Sequence, residues 1–105
     1  MIPNFHANTT TLQITAHTSV VLKIEGYFRG TTSAAWLMVF DTNIAPANGT
    51  PPLKQIPLYP TTQFYEEFKH GDLVCYLGCW VAISTTEGTY TSGTGDTMDV
   101  DVEIS

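Results

Sequence analysis

The run Trp36-Leu37-Met38-Val39-Phe40-Asp41 constrains the fold more than any other stretch of this chain. In an extended strand, Trp36, Met38 and Phe40 fall on one face and Leu37 and Val39 on the other. A strand that is apolar on both faces must be covered on both sides. A helix over 33–40 is the competing reading. It is too short, ends in β-formers and has no glycine cap. The chain then enters the segment 43–52, where Pro46, Pro51, Pro52 and Asn48-Gly49 exclude regular structure. The pattern therefore predicts a central strand over about 34–42, with Trp36, Met38 and Phe40 in the core, followed by a stiff loop.

Alternation predicts the other strands. Leu12, Ile14 and Ala16 give a strand near 9–16, and Val20, Leu22 and Ile24 one near 19–28. Arg29-Gly30-Thr31-Thr32 reads as a turn. Residues 53–58 read as an edge strand because of Pro57. Residues 62–69 form a further strand with Phe64 and Phe68 in the core, and His70-Gly71-Asp72 turns the chain. The longest run, 73–84, reads as one strand, with Leu73, Cys75, Leu77, Cys79, Val81 and Ile83 on one face. Gly78 within it marks a bulge or a close backbone approach. A polar loop covers 85–96. The last strand, 97–104, alternates Met98, Val100, Val102 and Ile104 with Asp99, Asp101 and Glu103. Seven such strands predict one all-β domain over residues 1–105, a two-sheet antiparallel β-sandwich wired either as a jelly roll or as an immunoglobulin-like fold.

Charge narrows the function. Four basic residues stand against ten acidic ones, for a net charge of −6. Lys23, Arg29, Lys54 and Lys69 are scattered, so no basic stripe exists to neutralise phosphates. Nucleic acid and anionic membrane surfaces are not expected partners. No apolar run reaches the roughly 20 residues of a membrane-spanning helix. The N-terminal Met1-Ile2-Pro3-Asn4-Phe5-His6 lacks the regions of a signal peptide, which predicts synthesis in a cytoplasm.

Catalytic and metal-binding patterns are weak. Cys75 and Cys79, if both lie on one extended strand, are about 13 Å apart and cannot bridge. They are expected to be free core thiols. His6, His17 and His70 have no metal-ligand spacing. The acidic row Asp96, Asp99, Asp101 and Glu103 could attract calcium, but it lacks the calcium-loop pattern and reads as a solvated face. Glu66 and Glu67 point to opposite faces and cannot form a catalytic pair. Ser33 and Ser84 lack a nucleophile elbow. No cofactor, metal or catalytic residue is expected. Tyr59, Tyr65 and Tyr90 are expected to be exposed near loops, where tyrosines anchor protein interfaces or stack on sugars.

Two segments resemble small β-sandwich structural proteins of tailed bacteriophages. One is Trp36-Leu37-Met38-Val39-Phe40-Asp41 with Pro46-Ala47-Asn48-Gly49-Thr50-Pro51. The other is Gly78-Cys79-Trp80-Val81-Ala82-Ile83-Ser84-Thr85-Thr86 with Thr89-Tyr90-Thr91. The resemblance implies a non-enzymatic virion component, first of all a capsid decoration (cement) protein. Its partners would be the major capsid protein or other virion proteins, and it would sit on the particle as a trimer or dimer. The expected contact residues are Pro46, Asn48, Pro51, Tyr59, Tyr65, Tyr90 and Thr91, with loop 43–52 stiff and loop 85–96 adaptable. A head or tail fibre subunit, a carbohydrate- or receptor-binding module, and a small jelly-roll hydrolase or isomerase are the alternatives.

Overall fold

Every regular element of the computed structural model, which describes residues 4–9, 11–30, 35–92 and 97–105, is a β-strand. The strands are β1 (Asn4–Thr9), β2 (Thr11–Thr15), β3 (Ser19–Phe28), β4 (Ala35–Asp41), β5 (Lys54–Leu58), β6 (Thr62–Glu67), β7 (Val74–Cys75), β8 (Cys79–Ser84) and β9 (Met98–Ile104). They form two antiparallel sheets. Sheet A runs β1-β9-β3-β6, with the two-residue β7 also pairing with β3, and sheet B runs β2-β8-β4-β5. First pairs with last (β1 with β9), then β2 with β8, β3 with β6 and β4 with β5. This nesting is a long hairpin rolled up on itself, the jelly-roll wiring. It decides between the two predicted topologies.

The interior follows the alternation. Val100 and Val102 of β9, Ile24 and Phe28 of β3, Leu37 and Val39 of β4, and Val81 of β8 have essentially no exposure and form one core between the sheets. Fully burying side chains of this kind contributes about 1.5–3 kcal/mol each. Phe64 lies in this core and Phe68 packs half-buried against it, as predicted. β5 is an edge strand, as Pro57 requires.

Three expectations are corrected. First, β1 was not foreseen, and it pairs along its whole length with β9. Second, the run 73–84 is two strands. β7 pairs with β3 in one sheet and β8 with β2 and β4 in the other, so the chain changes sheets at Tyr76-Leu77-Gly78. Gly78 permits the crossing because a Cβ there would lie 2.7 Å from the Thr42 carbonyl oxygen and 2.9 Å from that of Thr15. Leu77, placed with the core by alternation, is instead exposed.

Third, Trp36, Met38 and Phe40 do not point into the main core. They face outward from sheet B and build a second apolar cluster with Trp80, Ala82 and Tyr90. Register sets Met38 opposite Ala82 and Phe40 opposite Trp80. The Tyr90 ring meets Phe40 edge-on, with centroids 5.4 Å apart. Such pairs contribute about 0.5–1.5 kcal/mol beyond burial. The predicted turn at 29–32 and the polar loop at 85–96 lie partly outside the described residues.

Candidate functional site

The two loops that bear the resemblance meet over this outer cluster. The Gly49 amide donates to the Tyr90 carbonyl at 2.8 Å, and the Tyr90 amide donates to the Thr50 carbonyl at 2.9 Å. Ser92 donates its amide to Asn48 Oδ1, and Gly88 donates to Gln55 Oε1, both at 3.0 Å. The hub is Ser84, which is fully buried. Its Oγ accepts from the Thr86 and Thr91 amides and sits 3.0 Å from the Thr86 and Thr89 carbonyl oxygens. A buried hydroxyl with this many partners closes residues 85–91 into a fixed loop. Ser84→Ala would leave those amides without their acceptor. It is expected to cost about 1–3 kcal/mol and to speed hydrogen exchange across 86–92. Unchanged protection there would contradict the role of Ser84.

Tyr90 is therefore corrected from an exposed contact residue to a buried one, 6% exposed. Loop 85–92 is pinned rather than adaptable. Pro46 and Thr91 are half-buried, Asn48 and Pro51 are exposed, and Tyr59 and Tyr65 are well exposed. The structure gathers Pro46, Asn48, Pro51 and Thr91 into the paired loops. Tyr65 lies on β6 in the other sheet, and Tyr59 follows β5.

Two further surfaces were missed by pattern reading. At the C-terminal end of β4, Leu53 donates its amide to Val39, Leu77 to the Asp41 carboxylate, and Thr42 to Gly78. Four large apolar side chains stand exposed around these anchors: Ile44, Leu53, Tyr76 and Leu77. Leu53 and Tyr76 also line a hollow of about 370 Å3 with Phe68 and Leu73. Tyr76 and Leu77 were hidden from sequence reading because a single strand over 73–84 put them in a sheet.

The second surface is the outer face of sheet A. A trough of about 410 Å3 is lined by Glu25, Tyr27, Gln63, Tyr65, Asp99 and Asp101 among others. Register arranges these side chains in rows: Asp99, Tyr27 and Gln63, then Asp101, Glu25 and Tyr65. Beyond them lie Glu103, Lys23 and Glu67. Arg29 donates from Nε to Asp99 Oδ2 at 2.9 Å and from a terminal nitrogen to the same oxygen. Its guanidinium also lies 5.6 Å from the centre of the Tyr27 ring. Lys23 pairs with Glu25 at 3.1 Å, and that hydrogen bond raises its pKa. Tyr65 donates its hydroxyl to Glu67, which raises the phenol above its usual range. Asp101 Oδ1 is buried and has no hydrogen-bond partner. Among the described residues no group of three or more His, Cys, Asp or Glu is placed to hold a metal ion.

Cys75 and Cys79 are both free and fully buried. The two do not lie on one extended strand, because the chain changes sheets at Gly78, and the Cys75 thiol lies 3.9 Å from the Phe40 carbonyl oxygen, to which it donates. The neighbouring Cys75 thiol and burial push the Cys79 thiol far up. Of the two, Cys75 is the one whose thiolate the partner S–H would stabilise. A water-soluble disulfide reagent is expected to leave the native protein unlabelled and to titrate both cysteines once it is unfolded. Rapid labelling of the folded protein would contradict this burial.

No family model, curated protein or solved structure matches the chain.

Proposed function

We propose that this chain is a non-enzymatic structural protein of a tailed-bacteriophage virion, a capsid decoration protein that docks on the shell and stabilises it. One observation carries the reading. The two segments that bear the resemblance, 36–51 and 78–91, are far apart in sequence yet build a single unit. The strands β4 and β8 supply the outer apolar cluster, and the loops after them hydrogen-bond across it. Three motif residues have a defined place: Ala82 belongs to the same apolar cluster as Tyr90, Gly49 sits at φ 93° where the loop turns, and Ser84 ties the loop shut. A resemblance whose parts depend on one another physically is stronger than two separate likenesses.

Jelly-roll wiring supports the same reading at the level of fold, since viral capsid and lectin domains use it. The apolar end at Ile44, Leu53, Tyr76 and Leu77 is the docking face for the major capsid protein in this account. Pinned loops lose little entropy on docking. Repetition on a symmetric shell, as a trimer or dimer, multiplies weak contacts into firm attachment. The test is reconstitution. Particles assembled without the chain are supplied with the purified protein. Saturable binding with a raised disruption temperature is expected, and Leu77→Asp should abolish both. Particles that take up no protein would refute the reading.

The alternative of a carbohydrate- or receptor-binding appendage has one observation in its favour. Tyr27 and the exposed Tyr65 line the trough on sheet A.

A further inference from the structure

Of the asparagines at positions 4, 8, 43 and 48, one is followed by a glycine: Asn48, before Gly49. The others precede Phe5, Thr9 and Ile44. The difference is chemical. The backbone nitrogen after an asparagine can attack the side-chain carbonyl carbon and close a five-membered ring. A bulky side chain on the attacking residue hinders that approach, and glycine carries none.

The fold both presents this pair and restrains it. The Thr50 amide donates to the Ala47 carbonyl at 3.1 Å and Gly49 takes φ 93°, which is the pattern of a type II turn with Asn48 and Gly49 at its tip. Both residues are exposed, and no atom beyond the chain neighbours lies within 4 Å of where a Gly49 Cβ would stand, so water reaches the site. Each reacting group is nevertheless tied to the facing loop. The Gly49 amide donates to the Tyr90 carbonyl at 2.8 Å, and Asn48 Oδ1 accepts from the Ser92 amide at 3.0 Å. For ring closure the Gly49 nitrogen must give up its proton and the Asn48 side chain must turn back onto its own backbone. Neither can happen while both hydrogen bonds stand.

We propose that Asn48 is a self-modification site, converted to aspartate and isoaspartate at a rate set by the opening of the paired loops. The Gly49 nitrogen attacks Asn48 Cγ. The Cγ–Nδ2 bond breaks, and ammonia leaves with the proton lost from Gly49. Water then opens the cyclic imide without any oxidation or reduction. Cleavage of its bond to Cγ gives aspartate, and cleavage of its bond to the backbone carbonyl carbon gives isoaspartate. The two products act differently on the fold. Aspartate keeps the backbone and an oxygen that accepts from Ser92. Isoaspartate carries the main chain through Cγ, which adds one backbone atom before Gly49. Gly49 and Thr50 then lose their register with Tyr90, and the cover over Phe40 loosens. The inference rests on the paired loops alone, so its failure would leave the virion reading untouched.

The experiment incubates the full chain in mildly alkaline buffer, folded and unfolded in guanidinium, and maps both by peptide mass spectrometry. Amide-to-acid conversion is expected at Asn48 ahead of Asn43. It should be at least about tenfold slower in the folded protein, because reaction there waits on local opening. Ser84→Ala should speed it, and so should urea below the unfolding midpoint of the parent, each in step with hydrogen exchange at Gly49 and Tyr90. The isoaspartate form, separated by chromatography, should lose exchange protection at both amides, whereas Asn48→Asp should keep it. Equal rates in folded and unfolded chain would overturn the proposal. So would a rate that neither Ser84→Ala nor urea changes, conversion at Asn43 as fast as at Asn48, or full protection in the isoaspartate form.

Discussion

Replacing Gly26 by alanine is expected to lower the stability of the fold sharply, by about 3 kcal/mol or more. Gly26 sits in the middle of β3, opposite Phe64 of β6 on one side and Val100 of β9 on the other. A Cβ there would lie 1.8 Å from the backbone oxygen of Asp99 and 2.9 Å from the Phe64 ring. The ring can turn, but the Asp99 carbonyl belongs to the β9 backbone and cannot move without breaking the pairing of β3 with β9. Overpacking that forces small shifts costs about 1–3 kcal/mol, and a backbone collision lies at or above that range. A domain of this size has only about 5–15 kcal/mol of stability in all. Urea unfolding followed by circular dichroism checks the prediction. A variant with the parent's midpoint would mean that the two strands do not approach so closely.

The second large effect concerns the outer cluster. Phe40 is 1% exposed although it points away from the core between the sheets. If the paired loops truly cover it, Phe40→Ala leaves a cavity and costs about 3–5 kcal/mol. For a domain near 100 residues that lowers Tm by roughly 15 °C or more. If instead the loops lie open to water, Phe40 behaves as a surface residue and the change falls within about 0.5 kcal/mol. The same variant should loosen residues distant in sequence. Amides at Gly49 and Tyr90 are expected to lose exchange protection together, because the first donates to the Tyr90 carbonyl and the second to the Thr50 carbonyl across the cluster.

These two residues also show how much the sequence made legible. β9 and β4 could be read directly, since one face of alternating valines, or two apolar faces, leave few other conformations. That Trp36, Met38 and Phe40 are covered was readable, but what covers them was not. The cover comes from loops whose burial depends on backbone hydrogen bonds between residues about forty positions apart. Tyr90 was misplaced for this reason, as its flanking threonines and glycines suggest an exposed loop.

β1 escaped notice because the alternation in Asn4-Phe5-His6-Ala7-Asn8-Thr9 rests on Phe5 and Ala7 alone, while its place is set by backbone pairing with β9. The run 73–84 looked continuous because apolar character persists across Tyr76-Leu77-Gly78. Only the close approach of Thr42 and Thr15 to Gly78 shows where the chain must change sheets. The choice of jelly roll over an immunoglobulin-like fold depended on pairing first strand with last, a contact no local pattern encodes. The trough row of Asp101, Glu25 and Tyr65 required the register of three strands at once.

The central claim is that the fold serves docking on a virion rather than catalysis. It is tested most directly by quantitative mass spectrometry of gradient-purified phage particles, with electron cryomicroscopy to locate the density. The account predicts the chain in fixed stoichiometry to the major capsid protein. A jelly roll should be seated on the outer shell with Ile44, Leu53, Tyr76 and Leu77 against it. Particles that are complete and infectious yet contain none of the chain would contradict the claim.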